Sequence, residues 1–363
     1  MNVLRVGITL VIALVLADDG CGLKALPPGE ALSQQERRDA IRRASVWSPT
    51  QIPSVDFRTG PKVEAAFAPN QWVACDYKEK EMNGQSPKFT CETSAGEEIK
   101  VKYGASNAEI FGEVLATRLF WGIGFPADRM FPVRVRCRGC SADPKHVPKR
   151  ANGTQEFDPA VVERRLPGRP METAEDSGWS WSELDDIGPE SPKDARPQRD
   201  ALKLLAAFIQ HCDSKPMNQR ILCPEGQEVG KTGCRAPVLM IQDLGLTFGE
   251  ATLMDKNKNA VSVVAWSEVP VWKDPATCVA RLDTAFNGTL ADPQISEAGR
   301  SFLAGLLVQL TDAQLRDLFE VARVTRRSTD PGDNPDGPRA TVSEWVEAFK
   351  LKRAQIVDHH CPH

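Results

Sequence analysis

Between Arg199 and His211 the chain reads RDALKLLAAFIQH, a helical stretch almost wholly apolar on one side. It runs straight into a polar octet, His211-Cys212-Asp213-Ser214-Lys215-Pro216-Met217-Asn218. A helix of that composition has to be buried against other elements, so the octet is delivered to the rim of a core. Two strand-like runs follow, QRILC and PVLMIQD, and the second ends on Asp243-Leu244-Gly245. Polar residues on loops that rigid apolar elements hold in place are the usual material of a functional site.

Upstream the reading changes. From Trp72 to Tyr103 three alternating runs, QWVACDY, KFTCET and EEIKVKY, are parted by NGQSP and SAG turns and predict three strands. Glu109 to Trp121 returns to helical spacing, with Ile110, Val114, Leu115 and Leu119 on one face and Gly122 and Gly124 to end it. PVRVRC (Pro132 to Cys137) and AVVERRL alternate as further strands. Residues 141–198 are otherwise polar and Pro-rich, with Trp179 and Trp181 read as packing residues. Glu297 to Val324 and Thr341 to Val357 are helical, and both Ser33/Glu36 and Thr341/Glu344 have capping-box spacing. Asp330 to Gly337 (DPGDNPDG) lacks the spacing and final Glu of a calcium loop and reads as a solvated linker.

Strands first and helices after is an α+β order. The 363 residues are enough to bury a full core, and 41% apolar with 26% charged residues excludes wholesale disorder. A net charge of −4 gives no electrostatic ground for a nucleic-acid partner.

HCDSKPMN followed by DLG resembles the protein-kinase catalytic loop, H-x-D-x-K-x-x-N, and its D-x-G metal loop. The helix ending GEVLATRLFWGIGFPAD is similar to one in the secreted and HipA-like atypical kinases. No G-x-G-x-x-G is present, and NGQSPK (Asn83 to Lys88) carries one glycine, which sets the resemblance on the atypical branch. No A-P-E segment follows Gly245.

The resemblance implies a two-lobed protein kinase-like fold, a small antiparallel β lobe plus a larger helical lobe. It implies ATP or another nucleoside triphosphate with Mg²⁺. Phosphoryl transfer asks the protein mainly for positioning and charge compensation. Asp213 would then accept or orient the incoming hydroxyl proton, and Lys215 would meet the transferred group. Asn218 and Asp243 would ligate the metal. Lys102, paired with Glu113, would hold the α- and β-phosphates, with Lys100 and Glu109 as the neighbouring alternatives. His211 would act as a structural hydrogen-bonder, Cys212 would fill a variable position, and Glu163 would lie on the strand that joins the lobes. The expected divisions are a signal peptide over 1–17, an N-terminal extension over 18–71 and an N-lobe over 72–140. A polar linker and insertion over 141–198, a helical C-lobe over 199–357 and a tail over 358–363 complete the chain.

Val6 to Ala17, about twelve apolar residues behind Arg5, is too short to span a bilayer and suits a signal-peptide core. Lipidation at Cys21 and an uncleaved anchor are the alternatives. Ten cysteines fit export to an oxidising compartment. Cys75 with Cys91, and Cys223 with Cys234, bracket turns that a disulfide could close. Cys137 and Cys140 (CRGC) form a disulfide, remain thiols, or bind zinc together with the tail residues His359, His360, Cys361 and His363. The sequons at Asn152 and Asn287 matter only in a glycosylating source. The leading expectation is an exported atypical kinase acting on a hydroxyl of a protein, sugar or lipid head group. A catalytically inactive pseudokinase or binding module is the alternative, and no stable membrane span is expected in the mature chain.

Overall fold

The computed structural model describes residues 31–63, 66–82, 84–188, 195–250, 260–283, 288–327 and 340–362. The leader, Cys21, Asn83, the linker at 330–337, Asn287 and His363 lie outside the described residues.

Strands β1 (Gln71–Lys78), β2 (Lys88–Thr93), β3 (Glu98–Tyr103), β4 (Arg129–Arg138) and β5 (Thr154–Arg164) close into a barrel in the order β1-β2-β3-β5-β4. The alternation of each strand turns Val73, Cys75, Phe89, Ile99, Val101, Val133, Val135 and Val162 inward as one core. Two expectations need correction. The sheet is not wholly antiparallel, because β1 runs parallel to β4, with Cys75 opposite Cys137. A helix separates β3 from β4, and a connection of that length can lay β4 beside β1 in the same direction. The barrel also takes its fifth strand from beyond residue 140, inside the segment read as a polar linker. AVVERRL supplies its second half, while Thr154, Gln155 and Glu156 open β5 with a polar run that hides its first.

Helix α2 (Glu109–Ile123) lies against the outer face of β4 and β5. Asn107 accepts the Glu109 N–H at its start, and Gly124, with φ +92°, closes it in the left-handed conformation that glycine tolerates. Residues 44–60 wrap its C-terminal end. Trp47 Nε1 donates to the Ile123 carbonyl and Thr50 Oγ1 to that of Gly122, both at 2.8 Å, while Arg118 donates to the Phe57 carbonyl.

The larger core surrounds α3 (Arg196–Phe208), which packs on α5 (Glu297–Leu307). Trp266, on α4 (Val263–Glu268), sits among Phe208, Phe248, Trp345 and Phe349. Helices α6 (Asp312–Val321) and α7 (Val342–Val357) complete it, and the capping boxes at Ser33 and Thr341 are both formed. Strands β7 (Gln219–Cys223) and β10 (Val238–Ile241) pair antiparallel, with β6 (Arg169–Pro170) on the far edge of β7. The short hairpin β8 (Glu228–Val229) and β9 (Gly233–Cys234) lies between them in sequence. The mixture of helices and sheets is α+β.

Four disulfides join Cys75 to Cys91, Cys137 to Cys140, Cys223 to Cys234, and Cys278 to Cys361. Such a set belongs to chains that mature in an oxidising compartment. Among the described residues no helix is long and apolar enough to cross a membrane.

Candidate functional site

Because the interior of the barrel takes Val101, strand alternation turns Lys100 and Lys102 outward. Lys102 meets α2 there. Its ammonium is bonded to Glu113 Oε1 and lies 3.0 Å from Glu109 Oε2. The two acids are four residues apart and therefore share one helix face. Lys102 Nζ also lies 3.9 Å from Asp243 Oδ2. Lys102 and Glu113 are only 4% and 1% exposed, so their pair is dry, while the partly exposed Asp243 carboxylate brings a third distant segment to its edge. Lys100 points elsewhere and is bonded to Glu163, the residue before the end of β5.

The octet folds as a compact loop at the end of α3. Lys215 Nζ lies 3.4 Å from Asp213 Oδ2. Asn218 Nδ2 donates to the Asp213 carbonyl at 2.7 Å, which leaves the amide oxygen of Asn218 as the atom available to a ligand. The Asn218 carbonyl receives two N–H groups, from Gln242 at 2.7 Å and Asp243 at 3.2 Å. The octet and the Asp243-Leu244-Gly245 turn are thereby tied together. Gly245 N–H donates to Asp243 Oδ1 at 3.1 Å, so one carboxylate oxygen holds the turn and the other faces Lys102.

The electrostatics follow from burial and crowding. Burial opposes the charge on Lys102, but the Asp243, Glu109 and Glu113 carboxylates outweigh it and raise its pKa well above the ordinary lysine value. Burial pushes Glu113 up to about 8; Lys102 opposes this, and the neighbouring carboxylates add to it. Asp243 is held at about 2, because Lys102 and the Gly245 N–H overcome its burial. Three carboxylates thus surround one ammonium. An oxygen-rich group of this kind suits a hard divalent cation, and Asp243 with the Asn218 amide oxygen supplies donors of the right kind.

His211 departs from expectation. It is buried, and neither ring nitrogen has a hydrogen-bond partner among the described residues. Burial lowers its pKa to about 4, with Asp213 and Asp243 pulling the other way, so it is a neutral packing group beside the Trp181 ring. Cys212 is buried outside any disulfide, its sulfur 3.8 Å from the Leu246 carbonyl. Trp179 and Trp181 are buried packing residues.

Other participants were not visible in the motifs. A β-carbon on Gly112 would strike the Gly245 carbonyl oxygen, and one on Gly245 would lie 2.9 Å from Glu109 Cβ. The two glycines let α2 rest directly on the turn that carries Asp243. The sequence signal for that contact is E-x-x-G-E in the helix (Glu109, Gly112, Glu113) together with D-x-G on the turn. Ser86, in the β1–β2 turn, donates to Glu109 Oε2 at 2.5 Å. Lys88, at the start of β2, stands directly opposite Lys102 in the β2–β3 register.

The zinc alternative is not supported by the bonding. Cys137 and Cys140 are joined to each other, and Cys361 is joined to Cys278, so the thiolates that a zinc site would need are spent. His359 Nε2 lies 3.1 Å from the Cys278 sulfur.

No family model matches the chain, and no curated protein matches it. Among solved structures it is similar to a Helicobacter pylori proinflammatory kinase, CtkA, at 12% identity and a TM-score of 0.40, over 82% of this chain and 96% of that one.

Proposed function

We infer that the chain is an exported atypical kinase that transfers a phosphoryl group from a Mg²⁺–nucleoside triphosphate, ATP in the simplest case, to a hydroxyl. The barrel with α2 serves as the smaller lobe and the α3–α7 assembly as the larger, with the nucleotide between them. The observation that carries this reading is the buried Lys102, bonded to Glu113 and 3.9 Å from Asp243. A strand lysine held by a helix acid and pointed at a D-x-G carboxylate is the arrangement that grips α- and β-phosphates in kinases.

Lys102 binds those phosphates, and Glu113 orients its ammonium. Asp243 and the Asn218 amide oxygen hold the Mg²⁺, which when bound neutralises the triphosphate charge. Asp213 takes the proton of the acceptor hydroxyl, and Lys215, 3.4 Å from it, compensates the charge of the group in transit. The acceptor is a protein, sugar or lipid head group.

The test is Mg²⁺-dependent ATP binding by calorimetry, together with ATP turnover, on the wild type, Asp243→Ala and Lys102→Met. The expected result is binding and turnover in the wild type, with each lost by a factor of about 10² or more in either variant. Wild-type protein that binds no Mg–ATP, or an Asp243→Ala protein that behaves as wild type, overturns the enzyme reading. Binding without turnover assigns the chain to the pseudokinase class instead.

A further inference from the structure

The β1–β2 turn lacks the glycine-rich run whose backbone N–H groups cradle phosphates in kinases, so something else has to supply positive charge at that edge. The strand lysines of β1–β3 show what is left over. Lys78 is paired with Glu92, Lys100 with Glu163, and Lys102 with Glu109 and Glu113. Lys88 has no carboxylate or carbonyl partner among the described residues, although it stands directly opposite Lys102. Like charges placed opposite each other across two strands repel, and the Glu109 and Asp243 carboxylates offset this only in part at the Lys88 end, where burial and the Lys102 and Lys100 charges still lower its pKa.

The turn itself is built to hold that ammonium. A β-carbon on Gly84 would lie 2.9 Å from Lys88 Nζ, so the head of the side chain lies back over Gly84, whose φ of +88° favours glycine. Lys145 Nζ is bonded to the Gly84 carbonyl on one side, and Ser86 Oγ to Glu109 on the other. The turn is therefore tied down at Gly84 and Ser86, just before Lys88, which is half-buried beside Lys102, Glu109 and Asp243.

We propose that Lys88 is a polyphosphate-binding residue, its ammonium taking the terminal phosphates of the nucleotide while Lys102 takes the inner ones. The assignment rests on the kinase reading above. A point charge on a flexible stem selects for anionic charge rather than for shape, so the residue favours a triphosphate over a monophosphate and contributes nothing to the base.

The experiment uses the full chain and three probes: Mg–ATP, adenosine, and inorganic tripolyphosphate as competitor. Wild type, Lys88→Ala and Lys88→Arg are compared, with thermal unfolding as the check on folding. Lys88→Ala is expected to weaken Mg–ATP and tripolyphosphate about tenfold or more, to leave adenosine binding unchanged, and to be largely restored by Lys88→Arg. If Lys88→Ala binds tripolyphosphate as wild type does while Asp243→Ala still abolishes Mg²⁺ dependence, the Lys88 assignment fails and the kinase reading stands. Equal loss of adenosine and tripolyphosphate also overturns it, as a purely structural effect. A wild type that binds neither Mg–ATP nor tripolyphosphate removes both readings together.

Discussion

Lys102 is the residue on which most of the site's charge balance turns. It is the cation bonded to Glu113, and removing it leaves a buried carboxyl that must either take up a proton or stay charged with no partner. Lys102→Met is therefore expected to lower the free energy of unfolding by about 3 kcal/mol in urea titration. The double variant Lys102→Met/Glu113→Leu should recover at least half of that loss, and a double variant no more stable than the single one contradicts the account. Asp243 is legible from its place in D-x-G, whereas Lys102 and Glu113 are legible only as a strand lysine and a helix acid, with Lys100 and Glu109 as rivals until the register is known. Ser86 and Lys88 are not legible, since their roles arise from register: only the pairing of Lys88 with Lys102 puts them side by side. His211 was misjudged for a related reason. A histidine next to a polar loop invites a hydrogen bond, and only the packing reveals that the ring is enclosed without one.

At the level of elements, α2 is held in place from both ends. Its first turns rest on the Asp243 turn through Gly112 and Gly245, and its last turn is strapped by Trp47, Thr50 and Phe57. Gly112→Val has no room for its side chain, because the obstacle is a backbone carbonyl rather than a movable tip. The variant is expected to lose about 1–3 kcal/mol of stability and to show faster hydrogen exchange in the α2 amides, with Glu113 carried away from Lys102. Unchanged exchange across 109–123 would refute the close approach. The elements themselves were mostly visible in the sequence: β1, β2, β3, β7 and β10 fall on the alternating runs, and α7 starts at its capping box. β5 was cut short at its polar start, and the helical run from 297 proved to be two helices, α5 and α6, parted at Leu310 and the Thr311 cap.

Across the whole molecule, long-range closure was the least legible part. The parallel pairing of β1 with β4 joins residues far apart in the chain, and neither strand carries a local sign of its partner. The same holds for the link from Cys278 to Cys361, which ties the C-terminal tail to the body. Glu297 reinforces that link. Arg300 and the Cys361 N–H hold its carboxylate at about 2, below its ordinary 4.5. A carboxylate with a lowered folded pKa stabilises above its unfolded value and loses that contribution as pH falls through the folded one. Docking of the tail should therefore weaken between about pH 4.5 and 2, at a cost of at most about 3 kcal/mol and less for the solvent-exposed fraction. Glu297→Gln should flatten the acid limb of an unfolding-midpoint profile, and an unchanged profile would show that the carboxylate plays no such part.

The carbonyl of Asn218 receives the N–H groups of both Gln242 and Asp243, so the two acidic loops share a single backbone fastening. A displacement of one is therefore passed to the other through that shared acceptor. Because α2 rests on the same turn through Gly112 and Gly245, the Lys102–Asp243 gap of 3.9 Å is the distance that reports whether the barrel strand shifts relative to these loops. A pair of spin labels on β3 and on the Asp243 turn would therefore read that distance directly, whereas a pair on the two loops joined at Asn218 should give a single narrow distribution.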